Sequence, residues 1–232
     1  MRLAVLSDIH ANLPALRKAV QVAEAQGADA LVNLGDVVGY GPSPVECLDL
    51  VRREFAVNVL GNHDAAVAGE TDKAIPPDGQ AAIELHRTLL DADRLDWLAS
   101  LPYTIEAHGA TFVHAAPDEP AKWPRLESLR DTQRQFEAFE TDICFIGHSH
   151  RQAIVSDTIG VFRVRPGHRF LVNVGSVGQP RDRDPRLGFA LFDTDPFAVQ
   201  LVRDHYDHAK TEAEILKVGL PERLAKRLRA GT

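Results

Sequence analysis

Short apolar runs recur along the chain, and each run ends at a glycine or a polar cluster. The runs are LAVLS from Leu3, ALVNLG from Ala30, AVNVLG from Ala56, ATFVHA from Ala110 and ICFIG from Ile143. Runs of this length with β-branched residues are typical of buried strands. Helical patterns separate the first three runs, one after a cap at Asn12 and one that begins at Ser43 and Pro44. The alternation predicts parallel strands at the start of an α/β fold.

The later part of the chain predicts one more helical region, further strands and a helical end. Helical periodicity extends over residues 80–100, with a buried stripe predicted at Ile83, Leu85, Leu89, Leu90, Leu95 and Leu98. A hairpin is predicted around Asp157 to Gly160, followed by mostly antiparallel strands in RFLVNVG, GFALFDTD and AVQLVRDHY. Two short helices divided at Gly219 and Pro221 are predicted to follow. The sum is a pair of mixed sheets covered by helices.

Composition narrows the class of protein. The 232 residues, 44% of them hydrophobic, suffice for one sizeable core. A formal net charge of -7 disfavours a nucleic-acid polymer as partner. Cys47 and Cys144 are the only cysteines and lack a paired spacing, so we expect buried, reduced thiols. Neither a signal peptide nor a membrane span is predicted, so a cytoplasmic protein without a membrane partner is expected.

Residues that can bind metals follow each predicted core strand. They are Asp8 and His10, Asp36, Asn62 with His63 and Asp64, His114, and His148 with His150. Ligands bind outside the carboxyl ends of strands in open α/β sheets, so these side chains are predicted to converge. Carboxylates and imidazoles suit manganese, iron, nickel or zinc. The set is too large for one ion and favours two, about 3.5 to 4 Å apart and bridged by a carboxylate.

The same residues form ordered blocks that resemble a known signature. The blocks are Asp8-x-His10, Gly35-Asp36, Gly61-Asn62-His63-Asp64, His114 and Gly147-His148-x-His150. They resemble the calcineurin-like metallophosphoesterases. The segments NVGSVGQPRDRDPR and GLPERLAKRL resemble the small prokaryotic single-domain members, which extends the resemblance over almost the whole chain. It implies a four-layer αββα sandwich of two mixed sheets, with a main domain at 1–205 and a helical extension of that domain at 206–232.

The resemblance also implies a role for each residue. Asp36 corresponds to the carboxylate that bridges two divalent metal ions. One ion is expected to take Asp8, His10 and His150, and the other Asn62, His114 and His148. Asn62 and His63 are expected to contact substrate, with His63 as general acid. Bound metals lower the pKa of water from 15.7 toward about 7. The hydroxide that this water yields, held between the metals, is expected to attack phosphorus in line.

For some residues near these blocks, the sequence allows either a substrate contact or a structural role. Tyr40, in GDVVGYGP, either stacks on a base or aryl leaving group or packs on its own loop, and packing is favoured. The arginines of PRDRDPR either contact substrate phosphate or pair with Asp182 and Asp184, and pairing is favoured; they are Arg181, Arg183 and Arg186. Asp64 is expected to fix its turn through backbone hydrogen bonds.

Other residues are assigned to the rim of the pocket or to the scaffold. The loops AGETDKAIPPDG and AAPDEPAKWPR are predicted to rim the pocket, with Trp123 as a wall. The histidines outside the blocks are interpreted as surface or structural residues; they are His86, His108, His168, His205 and His208.

The sequence therefore favours a two-metal enzyme that hydrolyses small phosphodiesters. GDVVGYGP lacks the acid and arginine that the phosphoprotein phosphatases carry after this block, so protein phosphatase activity is disfavoured. A phosphomonoesterase or a nucleoside polyphosphate pyrophosphohydrolase is the nearest alternative. A non-catalytic scaffold on the same fold is a further one. The final helices are expected either to cover the sheet or to contact a second subunit in a homo-oligomer.

Overall fold

The computed structural model describes residues 1–70, 74–126, 128–161 and 163–232, which form two five-stranded sheets. The strands are β1 (Arg2–Leu6), β2 (Ala30–Asn33), β3 (Phe55–Asn58), β4 (Thr104–Ala107), β5 (Ala110–Val113), β6 (Ile143–Ile146), β7 (Gln152–Ser156), β8 (Phe170–Val174), β9 (Leu187–Thr194) and β10 (Phe197–Asp204). The strand order is β10-β9-β1-β2-β3 in the first sheet and β4-β5-β6-β8-β7 in the second.

Helices cover the outer faces of both sheets. They are α1 (Leu13–Ala25), α2 (Pro44–Glu54), α3 (Asn62–Ala68), α4 (Pro77–Leu89), α5 (Ala92–Ala99), α6 (Leu129–Arg134), α7 (His208–Lys217) and α8 (Glu222–Ala230). The Asn12 side chain accepts a hydrogen bond from the Ala15 amide, so the predicted cap of α1 is confirmed. Helix α2 begins at Pro44 as predicted, but the Ser43 side chain makes no capping bond.

The predicted parallel start of the chain is confirmed. Strand β1 pairs in parallel with β2, and β2 with β3, while β9 and β10 complete the sheet by antiparallel pairing. In the second sheet β5, β6 and β8 are parallel, and only the edge strands β4 and β7 are antiparallel. The expectation of mostly antiparallel strands after His150 is confirmed for β7, β9 and β10, whereas β8 also pairs in parallel with β6.

The predicted hairpin around Asp157 to Gly160 is wrong. Strand β7 ends at Ser156, and its antiparallel partner is β8, which begins only at Phe170. Between them, the described residues 157–161 and 163–169 contain no strand; Phe162 lies outside the described residues. Pro166 and Gly167, the latter with φ 86°, turn the chain before β8 begins.

Two further details differ from the sequence prediction. The helix expected over residues 80–100 is divided at Leu90 and Asp91, and the Asp91 side chain caps α5 by accepting from the Arg94 amide. The division turns Leu89 to solvent, where 45% of it is exposed. Strand β4 was not predicted, because an edge strand with alternating half-buried and exposed residues carries a weak apolar signal.

Apolar side chains fill the space between the sheets and explain the four layers. Phe112, Phe145 and Phe192 meet there, with ring centroids 5.6 Å and 5.2 Å apart. A second apolar cluster lies between the first sheet and the helices α1, α2 and α4. The predicted αββα architecture is confirmed. No helix in the described ranges is long and apolar enough to cross a membrane.

The final helices pack on the same molecule. Ile215, Leu224 and Leu228 from α7 and α8 form a buried cluster with Tyr40 and Ala82. These helices therefore support the loop that follows β2. The division into a domain at 1–205 and an extension at 206–232 stays a prediction.

Both thiols are expected to be unreactive in the folded protein. Cys47 and Cys144 are fully buried and free, and burial raises the pKa of each thiol above its usual value. Titration with 5,5'-dithiobis(2-nitrobenzoic acid) should detect neither thiol in buffer and both after denaturation. Rapid reaction of either thiol in the folded protein would contradict this burial.

Candidate metal centre

The carboxyl ends of strands from both sheets meet at one centre. The strands β1, β2 and β3 bring Asp8, His10, Asp36 and Asn62, while β5 and β6 bring His114, His148 and His150. All seven side chains are buried, and the most exposed of them, His148, is 8% exposed. The predicted convergence is thus present in the structure. The role of each side chain as a metal ligand stays a prediction.

Asp8, His10 and His150 form one side of the centre. The Nε2 atom of His150 lies 3.1 Å from Oδ1 of Asp8 and 3.1 Å from Nε2 of His10. The ligand atoms of all three residues lie within 4.8 Å of one another. This trio is the same set that the resemblance gives to one ion.

Asp36 lies between the two sides. Its Oδ2 atom is 3.7 Å from Nε2 of His10 and 3.4 Å from Nε2 of His114. Its Oδ1 atom accepts a hydrogen bond of 2.8 Å from the His63 amide. One carboxylate oxygen therefore faces imidazoles from both sheets, which is the position that a bridging ligand needs.

Asn62, His114 and His148 lie on the other side. Oδ1 of Asn62 is 3.3 Å from Nε2 of His114, and the His114 and His148 rings are 5.1 Å apart. Among the described residues, Nε2 of His148 is buried and has no hydrogen-bond partner. The His148 amide donates to Oδ2 of Asp8, which links this side to the first.

Hydrogen bonds to backbone carbonyls orient three of the imidazoles. Nδ1 of His10 lies 3.0 Å from the carbonyl oxygen of Val38. The same distance is 2.8 Å from Nδ1 of His114 to the Leu34 oxygen, and 2.5 Å from Nδ1 of His150 to the Gln179 oxygen. Because a carbonyl oxygen can only accept, Nδ1–H is the donor in each bond, and Nε2 of each ring faces the centre. This arrangement is typical of metal-binding histidines. It also turns the acceptor nitrogens of His10 and His150 toward each other, which favours a cation between them.

The protonation states of the side chains in the centre also favour bound cations. Burial acts to raise the pKa of Asp8 and Asp36, but neighbouring imidazoles outweigh it and hold both carboxyls ionised. Burial also acts to lower the pKa of His114, but Asp36 and Asp8 outweigh it and raise that pKa to about 9. Burial lowers the pKa of His148 to about 3. Ionised carboxylates with mostly neutral imidazoles are the donor set that divalent transition ions take, so the residues present fit such ions.

The backbone at the centre is unusual. Asp8, His10, Asp36, His148 and His150 have φ between 48° and 62°. Such left-handed conformations are uncommon outside glycine and cluster at functional sites. The two imidazoles of Gly147-His148-x-His150 consequently lie on a bent loop. The bends aim both rings at the centre.

Glycine is needed where this loop meets β1. A Cβ atom on Gly147 would lie 1.9 Å from Oγ of Ser7 and 2.5 Å from Oδ2 of Asp8. The same is true where α3 begins, since a Cβ atom on Gly61 would lie 2.2 Å from Oδ1 of Asp36. Close approach of the two sheets therefore depends on Gly147, and close approach of the loops after β2 and β3 depends on Gly61.

His63 lies beside the ligands. Its ring packs against Tyr40 and His10 at centroid distances of 4.5 Å and 4.9 Å, and burial lowers its pKa to about 4. Tyr40 is only 3% exposed, so its ring packs on the loop as predicted while also lining the cavity over the centre. Asp64 accepts from the Val38 and Gly61 amides, which confirms its predicted role in the turn.

His86 has a structural role behind His63. It is fully buried, and its ring nitrogens lie 3.1 Å from the Gly39 nitrogen and 2.9 Å from the Gly41 oxygen. It thereby fixes the loop that carries Tyr40. Its position in the helical stripe of α4 gives no sequence signal for this contact.

Cationic side chains surround the mouth of the centre. Lys122, Trp123 and Arg125 line the cavity, together with Ala74, Ile75 and Pro76, as predicted for the two rim loops. Residues 71–73 of the first loop lie outside the described residues.

The pairing predicted for the PRDRDPR arginines is confirmed for Arg186 and wrong for Arg181. Asp182 binds Arg203 and Asp184 binds Arg186, whereas the Arg181 side chain turns inward, 5.4 Å from the Tyr40 ring. Arg181 also lines the cavity beside His148 and His150. It is therefore placed to meet a bound anion rather than a neighbouring aspartate.

Comparison with known proteins identifies the family. Residues 1–196 match the calcineurin-like phosphoesterase superfamily domain. Uncharacterized protein MJ0912 of Methanocaldococcus jannaschii is 35% identical over 242 aligned positions, which cover 99% of this chain and 98% of that protein. The crystal structure of a metallophosphoesterase from Sphaerobacter thermophilus is 36% identical with a TM-score of 0.89, covering 100% of this chain and 99% of that one.

Two relatives have named activities. Phosphodiesterase YfcE of Escherichia coli is 25% identical over 209 positions, covering 88% of this chain and 94% of that enzyme. The symmetrical bis(5'-nucleosyl)-tetraphosphatase of Stutzerimonas stutzeri is 35% identical over 126 positions, which cover 49% of this chain and only 42% of that enzyme. The chain belongs to the calcineurin-like phosphoesterase superfamily. It is, by family, a metal-dependent phosphoester hydrolase.

Gly147→Ala should abolish metal uptake. The new methyl group would collide with Ser7 and Asp8 and push the His148 loop away from the centre. Gly109→Ala is the control, because its Cβ meets nothing within 4 Å and its φ of 76° costs only about 1 to 2 kcal/mol. Elemental analysis after incubation with manganese should find metal in the control and none in Gly147→Ala. Equal metal content would contradict the close approach.

Metal should stabilise the fold. A divalent ion that compensates Asp8 and Asp36 binds only the folded chain, so it should add about 2.7 kcal/mol at 100 times its Kd. Calorimetric melting of chelator-treated protein, with and without added manganese, measures this gain. Asp36→Asn should lose most of it. An unchanged melting temperature in the unsubstituted protein would show that the centre binds no ion tightly.

Proposed function

We propose that this protein hydrolyses small phosphodiesters at a centre of two divalent metal ions. The observation that carries the proposal is the position of Asp36, whose Oδ2 atom faces His10 on one side and His114 on the other. Asp8, His10 and His150 would hold one ion, and Asn62, His114 and His148 the other, with Asp36 shared. Manganese, iron, nickel and zinc all suit these donors.

Each group of residues has a separate task. The metal ions, when bound, lower the pKa of water and stabilise the charge that grows on phosphoryl oxygens. His63, which none of these assignments uses as a ligand, donates a proton to the departing oxygen. Burial lowers the pKa of His63, and a phosphoester beside the ring offsets part of that decrease because its negative charge favours the protonated imidazole. Tyr40 holds the His63 ring in place by packing against it.

The shape and charge of the mouth favour small substrates. The cavity over the centre has a volume of about 60 Å³ and is lined by Lys122, Arg125 and Arg181. A phosphoryl group fits such a space, and three cations attract its oxygens. Arg181 and Asn62 are the side chains we assign to phosphate binding, alongside His63.

A nucleoside polyphosphate pyrophosphohydrolase is a second candidate. The partial similarity to the symmetrical bis(5'-nucleosyl)-tetraphosphatase and the arginines at the mouth favour it. A phosphomonoesterase would use the same centre, and only the substrates it hydrolyses would distinguish it from the two candidates above. A non-catalytic scaffold is disfavoured, since every residue of the ligand signature is retained.

Substitutions at the centre should separate the two catalytic tasks. His63→Ala should lower kcat for bis-p-nitrophenyl phosphate by about 10² to 10⁴ while metal content stays unchanged, because only the proton donor is lost. Asp36→Asn should lose both metal and activity. His205→Ala, at an exposed histidine outside the centre, is the control.

The measurement is release of p-nitrophenol with added manganese, paired with elemental analysis of each variant. Equal rates in the unsubstituted protein, His63→Ala and Asp36→Asn would refute the proposal. A parallel assay of phosphate release from monoesters and nucleoside polyphosphates decides between the candidate activities.

A further inference from the structure

A second and larger cavity adjoins the metal centre, and we name it the outer groove. Its volume is about 610 Å³, within the range of small-molecule sites. His148, Arg125 and Arg181 line both the outer groove and the small cavity over the centre. A molecule bound at the centre therefore has a continuous path into the groove.

The floor of the outer groove is apolar. Ala153 and Val155 of β7 face it together with Leu171 of β8, and Val155 and Leu171 are partners in the sheet. Leu126 closes one side. Aliphatic side chains on a sheet face form a flat surface, which suits a planar group such as a nucleobase or an aryl ring.

The rim of the groove is positively charged. Arg125, Arg151 and Arg181 line it, and no carboxylate does so among the described residues. In the same part of the chain none of the three arginines forms an ion pair, whereas other arginines bind aspartates, as in Arg2–Asp193, Arg94–Asp49 and Arg186–Asp184. Three cations without a carboxylate on a chain of net charge -7 are a strong local signal for an anionic ligand.

Arg151 is fixed relative to the metal centre. Its Nε donates to the Arg181 carbonyl oxygen at 3.1 Å, and the Arg181 amide donates to the His150 carbonyl oxygen at 3.2 Å. Two hydrogen bonds thus connect the Arg151 guanidinium to a residue of the centre. The terminal nitrogens of Arg151 stay available for a ligand, since Nε alone makes this bond.

We propose that the outer groove binds the leaving group of the substrate, and that this leaving group carries a second phosphate and a planar ring with an apolar face, as a nucleotide does with its phosphate and base on one ribose. The inference rests on the proposed function and develops its second candidate, since a leaving group that departs through a phosphate oxygen makes the cleaved bond the P–O–P bond of a nucleoside polyphosphate. Hydrolysis adds water across one P–O bond: the attacked phosphorus gains the water oxygen, and the departing phosphate oxygen takes up a proton. Arg151 binds the second phosphate, and the β7–β8 face supports the planar group.

A nucleotide analogue that the enzyme cannot cleave at its bridge tests the proposal by binding. The probe is α,β-methylene-ADP, titrated calorimetrically into manganese-loaded protein, with inorganic phosphate as the comparison. We expect the nucleotide to bind at least about tenfold more tightly than phosphate, because it occupies the centre and the groove together. Arg151→Gln should weaken nucleotide binding by about 10- to 100-fold, the range for a lost hydrogen bond to a charged group, and leave phosphate binding unchanged.

Two further variants make the result specific. Arg151→Lys keeps the charge but loses the planar fork, so it should recover part of the affinity. Arg130→Gln, at an exposed arginine of α6 that does not line the groove, should bind both ligands as the unsubstituted protein does.

Equal affinity for nucleotide and phosphate, or no effect of Arg151→Gln, would overturn the proposal. It would also be overturned if Arg151→Gln changed the oligomeric mass and not the nucleotide affinity, since the groove would then contact a second copy of the chain. Hydrolysis of bis-p-nitrophenyl phosphate by the unsubstituted protein is measured separately. Its absence would refute the proposed function, whereas normal hydrolysis without nucleotide binding would refute only the groove assignment.

Discussion

Two fully buried carboxylates, Asp8 and Asp36, impose the main constraint on this structure. Moving an ionised carboxylate out of water costs several kcal/mol unless positive charge compensates it. No lysine or arginine in the described ranges forms an ion pair with either residue, and their close partners are imidazoles. Divalent cations would supply the missing charge, and the Nε2 atoms of His10, His114 and His150 already face the space beside the two carboxylates.

The rest of the centre is built to keep the two sheets close. Gly147 brings the second sheet against Ser7 and Asp8, and the His148 amide completes the contact by donating to Asp8. The left-handed backbone at five residues of the centre costs free energy that the surrounding hydrogen bonds must offset. The helices α7 and α8 contribute from outside, because they pack on Tyr40, which in turn contacts His63.

Much of this arrangement could be predicted from the sequence. Apolar runs mark β1, β2, β3, β5 and β6, and the polar residues after each run mark the edge where the site lies. Local pattern could not predict features that depend on three-dimensional packing. In place of a partner strand directly after Gly160, β8 supplies the antiparallel partner of β7, a long-range pairing that the local pattern does not reveal. Leu89 is exposed because Asp91 caps a separate helix.

The substrate side of the site was the hardest part to predict. Arg125, Arg151 and Arg181 are far apart in the sequence, and only the fold brings them to one groove. Near Arg181 the aspartates suggested ion pairs on a surface loop, yet Asp184 binds Arg186 and Asp182 binds Arg203, which leaves Arg181 to the cavity. Metal ligands sit in short blocks with fixed spacing, whereas substrate contacts come from loops whose positions depend on the whole molecule.

The most direct test of the account is a crystal structure grown with manganese, with anomalous scattering measured at its absorption edge. Two peaks about 3.5 to 4 Å apart, on either side of the Asp36 carboxylate, are the predicted result. One peak should lie next to Asp8, His10 and His150, and the other next to Asn62, His114 and His148. An anomalous map without a peak at Asp36, from crystals that contain manganese elsewhere, would contradict the central claim.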